Sequence, residues 1–427
     1  MGTARPLGGR TLRAVLGGRL RGELRPLATL TFAEASARLL SFCFYLVVAR
    51  ILTTAEFGVV RYTIALSLLA FVGLQVIVTG LMRELGASRG DDGAAPTVIG
   101  SALAATLVVL AVSLAACLVA GLAGATGSAS LPGLLVCLAG LAAFQLYYAV
   151  ARGLGEPGRA VATYAGGSLA QLLISAGALA VRPTATVALV VFGLSCLVPI
   201  AVCEIRRPVL RRLGVSRAVL ARLRSLAGPL LVAQLGFMTW LTADQVWVDQ
   251  TLGDRELGVY GAAKTVSQLF IILPTGVVGW LLPRVAELRA TGESAYARRL
   301  LFGAAGGLLL ATLAVAGVVI AGRSDLLRLL FGSDYAAGAP ALTGLALGMV
   351  AYAGFVGLTE GAVGWGRPRV YSAGIAVAAV AEVGLLLSLG SDAGASDAAW
   401  ASAASMAAGL TTVVAILLVR PLRADAR

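Results

Sequence analysis

Charged residues lie inside the long apolar stretches of this sequence. They include Glu34, Arg38, Arg61, Asp244, Lys264 and Glu382. At the centre of a helix in hydrocarbon, an arginine, lysine or aspartate costs roughly 2.5–3.5 kcal/mol, so these side chains normally face protein or water. Cations in such surroundings suit a phosphate-bearing ligand, and acids suit a coupling ion.

The first two charges lie on one helical face. Arg38 is about 16 Å into the first apolar stretch at 1.5 Å per residue, close to the midplane. Glu34 lies one turn earlier, in the favourable order for an i,i+4 pair. Two interpretations stay open: the pair neutralises itself, or Arg38 binds a ligand and Glu34 a coupling ion. Arg61 and Lys264, in the outer parts of their stretches, either bind the same ligand or snorkel to the outer headgroups.

These residues are positioned by about twelve apolar stretches of near twenty residues each. Hydrocarbon about 30 Å thick needs roughly 20 helical residues to cross it, so each stretch is predicted to be a transmembrane helix. The predicted spans are 27–49, 59–82, 98–121, 131–151, 161–181, 185–204, 226–250, 258–282, 300–322, 339–363, 370–390 and 398–419. Hydrophobic residues make up 59% of the chain, more than a soluble domain can bury. An all-α polytopic membrane protein is therefore predicted.

The arginines predict the orientation of the spans. The formal charge is +13, and nearly all of the positive residues fall in alternate links. The links on the other side hold five arginines, namely Arg50, Arg182, Arg255, Arg323 and Arg328. Because cytoplasmic loops collect positive charge, both termini are predicted to be cytoplasmic.

The two halves of the chain resemble each other. Residues 55–69 align without gaps on 255–269, with the pairs Glu56/Glu256 and Gly58/Gly258 identical. A Gly-x-Gly-x-Pro motif occurs at 153–157 and again at 364–368. Six spans in each half give the halves the same orientation, related by an axis along the membrane normal.

This repeat predicts the domain division. It consists of a basic cytoplasmic arm 1–26, an N-lobe 27–204, an Arg-rich cytoplasmic linker 205–225, a C-lobe 226–420 and a cytoplasmic tail 421–427. Two such lobes typically enclose a site that opens alternately to each side of the membrane.

Several classes of function are disfavoured by composition and motifs. Histidine is absent, and the five cysteines have no C-x-x-C spacing, so neither a metal site nor a disulfide framework is expected. No Walker A sequence or G-x-S-x-G elbow occurs, and we expect no enzymatic activity and no cofactor. The positive charge is explained by membrane topology, and nucleic acid is not an expected partner.

Neutral polar and aromatic residues within the spans allow two interpretations. They include Gln75, Gln145, Gln171, Gln234, Gln245, Gln268, Tyr147, Tyr148, Tyr164, Trp240, Trp247 and Tyr352. Amides and aromatic faces would suit a sugar-binding surface, whereas helix–helix hydrogen bonding and interfacial anchoring are the structural alternative.

Five segments carry a resemblance to a known transporter family. They are ARILTTAEFGVVRYTIAL (49–66), LGVYGAAKTVSQLF (257–270), LLPRVAEL (281–288), LLRLLFGSDYAAGAPAL (326–342) and GWGRPRVYSAG (364–374). In these segments the chain resembles the oligosaccharide-lipid flippases, the polysaccharide transporter family of the multidrug, oligosaccharidyl-lipid and polysaccharide exporter superfamily. The resemblance runs from about residue 28 to 420.

The resemblance implies two six-helix lobes around a central cavity, and transport of undecaprenyl-pyrophosphate-linked oligosaccharides from the cytoplasmic to the periplasmic leaflet. The related lipid II flippases have cavity cations on the first, second and eighth helices. Arg38, Arg61 and Lys264 fall on those helices here. The chain departs in having lysine on the eighth helix and no added helix pair, which leans away from lipid II itself.

The expected function is therefore a flippase in the bacterial cytoplasmic membrane. Arg38, Arg61 and Lys264 are expected to bind the pyrophosphate, with Glu34 and Asp244 as ion-coupling candidates. The expected partners are lipid-linked oligosaccharide, membrane lipids, and a polysaccharide polymerase or glycosyltransferases.

Three alternatives remain open. One is a lipid II flippase. A second is a cation-coupled multidrug exporter using Glu34, Asp244 and Glu382. A third is a non-transporting scaffold that recruits glycosyltransferases through the linker 205–225.

Overall fold

A computed structural model describes residues 32, 34–87, 94–124, 126, 129–206, 208–210 and 213–419. Throughout this described part the regular secondary structure is helical. The predicted arm 1–26 and tail 421–427 lie outside it.

The described residues of the first half form eight helices. They are α1 (34–51), α2 (Thr54–Ala70), α3 (Val72–Ala87), α4 (Ala94–Leu122), α5 (Leu131–Gly153), α6 (Pro157–Val181), α7 (Ala185–Ser195) and α8 (Leu197–Arg206). Helix α2 begins with a capping box, in which the Thr53 hydroxyl accepts from the Glu56 amide and the Glu56 carboxylate accepts from the Thr53 amide. Two of the four unpaired amides at this helix start are thereby satisfied.

Up to residue 419, where the description ends, the second half forms another eight helices. They are α9 (Arg217–Leu252), α10 (Asp254–Gln268), α11 (Ile272–Ala290), α12 (Ser294–Ala321), α13 (Arg323–Leu330), α14 (Ala339–Gly364), α15 (Arg369–Ser388) and α16 (Ala395–Val419). Short 3₁₀ segments at Leu269–Ile271 and Ser333–Gly338 join α10 to α11 and α13 to α14. The predicted linker 205–225 is helical from Arg217 onward.

The helices match the predicted membrane spans. Among the described residues, nine are long and apolar enough to cross a membrane, and eleven if each of two bent helix pairs counts as one span. The remaining predicted span corresponds to α1. Its described part carries Glu34, Arg38 and Arg50.

The second span is bent by 54° between α2 and α3. Just before the bend, the hydroxyls of Thr63 and Ser67 donate to the carbonyls of Val59 and Thr63, each four residues earlier. Such back-bonding loosens and bends a helix. A continuous span was predicted at 59–82, and the structure corrects it to a broken one.

The helices pack in two groups that meet along α2, α3, α9 and α10. Helices α3–α8 pack mainly on one another, as do α9–α16. Helix α2 packs more on α9 and α10 than on its own group, and the α2–α10 contact is the most extensive between the groups. Helix α1 joins both groups: Phe44 packs on Phe192 of α7, and Phe42 on Phe331 after α13. The predicted boundaries of the two lobes remain a prediction.

The glycine turns show the internal repeat in the backbone. Gly155 after α5 has φ +75° and Gly366 after α14 has φ +81°. In both turns the next amide reaches back to the helix: Glu156 N–H to Ala151 O, and Arg367 N–H to Ala362 O, each at 2.9 Å. This is the Schellman arrangement, which requires a residue with positive φ and therefore favours glycine. The two Gly-x-Gly-x-Pro motifs thus form the same turn.

Candidate functional site

A small cavity lies where α1, α6 and α10 meet. Its volume is about 150 Å³, and its lining side chains come from both helix groups. They are Arg38, Ser41, Phe42, Tyr45, Tyr164, Thr265, Gln268 and Leu269. A cationic group, hydroxyls, an amide and aromatic rings therefore surround one space between the two halves of the protein.

Arg38 supplies the positive charge of this cavity. Its Nε is buried without a hydrogen-bond partner, and no carboxylate among the described residues forms a salt bridge with it. A buried donor without a partner is costly, so the Arg38 Nε–H is a donor that a ligand oxygen could satisfy.

The i,i+4 pair between Glu34 and Arg38, one of the two interpretations of these residues, does not form. The Glu34 carboxylate instead accepts from the Tyr148 hydroxyl at 2.6 Å and lies 3.3 Å from the Arg152 guanidinium, both on α5. Helical spacing places the two residues on one face of α1. Glu34 nevertheless pairs with α5, which supplies both the Tyr148 hydroxyl donor and the Arg152 cation. Mutual neutralisation of Glu34 and Arg38 is therefore wrong for this conformation.

Arg61 is buried between the two helix groups, with 3% of its surface exposed. Its Nη2 donates to the Gln245 side chain of α9 at 2.8 Å, and its guanidinium carbon lies 4.8 Å from the Tyr45 ring centroid. Gly261 of α10 leaves room for its aliphatic stem, because a Cβ there would come within 2.7 Å of it. The snorkelling alternative is wrong for Arg61. The guanidinium of Arg61 packs on the ring of Tyr45, and Tyr45 lines the cavity.

Lys264 is fully buried and does not snorkel either. Its Nζ forms an ion pair with Asp244 of α9, which is also fully buried, and the Tyr260 hydroxyl donates to the same carboxylate oxygen. The ammonium also lies 6.0 Å from the Trp240 ring centroid. In this conformation Lys264 is neutralised by Asp244 and does not line the cavity, whereas its neighbour Thr265 does.

A second buried acid lies deeper among the C-terminal helices. Glu382 of α15 is fully buried; its Oε2 accepts from the Ser405 hydroxyl at 2.5 Å, and its Oε1 has no partner. Ser405 also donates to the Ser402 carbonyl, which accepts from the Trp240 indole. Polar groups thus extend from Lys264 through Trp240 and α16 to Glu382.

The predicted site residues fall into two groups, those whose charge is paired in a salt bridge and those whose charge is not. Arg38 and Arg61 form no salt bridge among the described residues, whereas Lys264 and Asp244 cancel each other. The space beside Arg38 is therefore positive, which favours an anionic group over a cationic one. The predicted ion-coupling acids, Glu34 and Asp244, both already face cations in this state.

Three residues that contact the charged residues of the site were not predicted from the sequence as site members. Tyr45 follows Arg38 by seven residues, or two helical turns, and Tyr260 precedes Lys264 by four, so helical spacing could have revealed both. Gln245 was noticed only as one of many amides. Its pairing with Arg61 joins residues 184 apart in the chain, which no local pattern shows.

No metal site is found in the described part of the chain, where no three His, Cys, Asp or Glu side chains are grouped to hold an ion. Among the predicted sugar-binding residues, Tyr164 and Gln268 line the cavity, whereas Tyr352 stacks on Trp240 at 5.2 Å within the core.

Comparisons with known proteins are informative at the level of structure. No protein-family model and no curated protein matches this sequence. An inward-facing multidrug resistance MATE family transporter of the MOP superfamily superposes with a TM-score of 0.69 at 16% identity, over 92% of this chain and 96% of that one. The lipid II flippase MurJ, in an inward closed conformation, gives 0.71 at 14% identity, over 92% and 87%.

A third neighbour is a MOP superfamily transporter from Pyrococcus furiosus, described as having a binding pocket of reverse polarity. It gives a TM-score of 0.63 at 16% identity, over 94% of this chain and 96% of that one. These likenesses cover nearly the whole chain and agree with its helical order. The chain is a multi-pass, all-α membrane protein with the twelve-helix fold of the MOP superfamily transporters.

Proposed function

We propose that this protein is a flippase that moves a lipid-linked, anionic oligosaccharide across the bacterial cytoplasmic membrane. The observation that carries the proposal is Arg38, whose guanidinium lines a cavity between the two helix groups with a buried, unpartnered Nε. A pyrophosphate offers the oxygens that such a group binds, and an arginine can bind it in a bidentate manner.

Arg61 is the second cation of the proposed site. Its partners, Gln245 and Tyr45, are both neutral, so its charge remains available to the cavity. Rotation of the Tyr45 ring would expose the guanidinium to a phosphate bound at Arg38. Tyr45 thus has the place of a lid between the two arginines.

Lys264 is the third candidate, and it is available only after it leaves Asp244. Neutralisation of Asp244 by a proton or a metal cation would release the ammonium toward the cavity, where Thr265 already lies. This step would link ion binding to substrate binding, with Asp244 as the coupling residue. Glu34 would act in the same way toward Arg152, with which it forms an ion pair.

The proposed mechanism is alternating access by rocking of the two lobes, 27–204 and 226–420. The helix groups touch along α2 and α10 and enclose the cavity between them. The glycan would occupy the space between the lobes, and the arginines would bind the pyrophosphate. The prenyl tail would stay in the surrounding lipid. The lipid II flippase among the structural neighbours supports a lipid-linked substrate.

The decisive experiment follows lipid-linked glycan in cells that lack the protein and are complemented with variants. Leaflet position is read in intact spheroplasts with an impermeant glycan-modifying enzyme. In cells complemented with Arg38→Ala, the intermediates should stay shielded from the enzyme although the protein level is normal. Arg298 is an exposed arginine of α12, and complementation with Arg298→Ala should restore the enzyme's access to the intermediates. Full activity of Arg38→Ala would refute the proposed site.

A second candidate is cation-coupled multidrug export, which the two buried acids Asp244 and Glu382 favour. It predicts that deletion alters drug tolerance without changing lipid-linked pools, and that Glu382→Gln abolishes the effect. A scaffold that recruits glycosyltransferases or a polymerase would instead tolerate neutralised cavity arginines and fail when 205–225 is trimmed.

A further inference from the structure

Three aromatic rings pack together where α9 meets α14. Trp240 of α9 and Tyr352 of α14 stack with their ring centroids 5.2 Å apart, and Phe237 of α9 lies 6.1 Å from Trp240 and 6.0 Å from Tyr352. Trp240 is buried, whereas Phe237 and Tyr352 are half-buried. This aromatic patch therefore presents two of its three rings at an accessible surface.

Polar groups without partners lie on the same three helices. They are the amide of Gln234, one turn before Phe237 on α9, the carboxylate of Glu360, about two turns after Tyr352 on α14, and the Tyr371 hydroxyl on α15. All three side chains are half-buried, and none forms a hydrogen bond or a salt bridge with another described residue. The Tyr352 hydroxyl also lacks a hydrogen bond to any described residue. These groups can all bind a ligand without first giving up a protein partner.

The unpartnered groups are close to one another and to Arg38. The Tyr371 ring packs on Phe355 of α14, with the centroids 5.7 Å apart. The charges of Arg38 and Glu360 both act on the Tyr352 hydroxyl, and Glu360 and Tyr352 both act on the Tyr371 hydroxyl. Tyr352 thus lies between the positive charge of the substrate cavity and a second, acidic group of polar atoms.

The chemistry of these groups fits a sugar. The C–H bonds of a sugar ring carry weakly positive hydrogens, which pack favourably on aromatic rings. Sugar hydroxyls donate to a carboxylate or an amide oxygen, and they accept from a phenol or an amide N–H. An organic cation would also suit Glu360 and the rings, but it would meet the positive charge of Arg38 beside Tyr352. A neutral sugar meets no such opposition.

We propose that Phe237, Tyr352, Glu360 and Tyr371, together with Gln234, bind the sugar that is attached to the pyrophosphate of the transported lipid. Because Arg38 would hold the pyrophosphate, this sugar site rests on the proposed function. The two ends of the headgroup would then contact different helices. Helix α1 would bind the phosphates, and helices α9, α14 and α15 would recognise the sugar.

The test compares two lipids that differ only in the sugar. Native mass spectrometry of the full-length protein in detergent measures binding of undecaprenyl pyrophosphate, with and without one N-acetylglucosamine. The wild type should bind the sugar-bearing lipid about tenfold more tightly, as expected for one hydrogen bond to a charged group. The double variant Glu360→Gln with Tyr371→Phe should lose this preference and bind undecaprenyl pyrophosphate within about threefold of the wild type.

Two further variants separate the sugar contacts from general effects. Phe237→Leu keeps the polar groups and removes one ring, and it should lower the preference about threefold. The matched control is Glu293→Gln with Tyr296→Phe, which makes the same two changes at exposed residues at the start of α12. This control should keep the full preference.

Arg38→Ala distinguishes a failure of the sugar site from a failure of the proposed function. If Arg38→Ala binds both lipids as the wild type does, the proposed function fails. If Arg38→Ala weakens both lipids while Glu360→Gln with Tyr371→Phe keeps the preference, the sugar site alone is refuted. The sugar site is also refuted if the wild type shows no preference, if the double variant weakens both lipids equally, or if it loses binding of ethidium, an organic cation, instead.

Discussion

Gly58 of α2 and Gly258 of α10 each pack against the start of the other's helix. A Cβ on Gly58 would lie 1.9 Å from the Asp254 carbonyl oxygen, and one on Gly258 would lie 2.0 Å from the Thr54 carbonyl oxygen. The two glycines are equivalent positions of the internal repeat, as are Thr54 and Asp254. The contact is therefore reciprocal, and the halves of the protein meet where they are most alike.

This crossing predicts a strong effect of one methyl group. Gly258→Ala should force α2 and α10 apart, because neither backbone can yield locally, and should lower the free energy of unfolding by about 1–3 kcal/mol. Thermal unfolding in detergent measures the change. Gly306→Ala on the exposed face of α12, where a Cβ meets nothing within 4 Å, should be neutral or stabilising. Equal effects of the two substitutions would contradict the crossing as described.

The buried pair Lys264 and Asp244 predicts non-additive stability. Lys264→Met leaves the Asp244 carboxylate enclosed with Tyr260 as its remaining side-chain donor, and removing one partner of a buried pair costs about 3–5 kcal/mol. The double variant, Lys264→Met with Asp244→Asn, should recover most of that loss, because no uncompensated charge remains. A thermal-unfolding double-mutant cycle measures the coupling. A double variant no more stable than Lys264→Met would show that the pair is not coupled.

Arg50 joins the end of α1 to the end of α13. Its Nε donates to the Leu330 carbonyl at 2.8 Å and its Nη2 to that of Leu329, and the Tyr335 hydroxyl donates to the Ala49 carbonyl nearby. A cation at a helix C-terminus contributes about 0.3–1 kcal/mol. Arg50→Gln should therefore favour separation of the helix groups at this end by about two- to fivefold.

The separation can be read as the rate at which an impermeant maleimide labels Ala49→Cys in a cysteine-free background, since Ala49 is buried. Arg50→Gln should raise the rate. Arg182→Gln, an exposed arginine of the same predicted side, serves as control and should leave it unchanged. Slower or unaltered labelling in Arg50→Gln would argue against this contact.

The positive φ of Gly366 predicts that substitution by alanine lowers stability more than substitution by asparagine. With φ at +81°, a substituted alanine is strained by roughly 1–2 kcal/mol, and its Cβ would also come within 2.8 Å of Arg289 Nη1. Gly366→Asn should lose less stability, because asparagine tolerates the left-handed region better. The melting temperatures of the two variants should therefore differ, with alanine lower. The reverse order would exclude strain as the cause.

Apolar runs of membrane length determined the helical spans, because a bilayer imposes the same length and polarity on each of them. The alignment of the two halves singled out the paired glycines, and the buried charges stood out because charged residues are unusual within apolar runs. The tertiary structure alone decided which partners those charges have. Arg61 finds Gln245 and Lys264 finds Asp244 across helix contacts 184 and 20 residues apart. Glu34, for which pairing with Arg38 one turn away was one of two open interpretations, pairs with Arg152 instead. Local periodicity shows which face of a helix a residue occupies, but the partner on that face depends on which helix packs there.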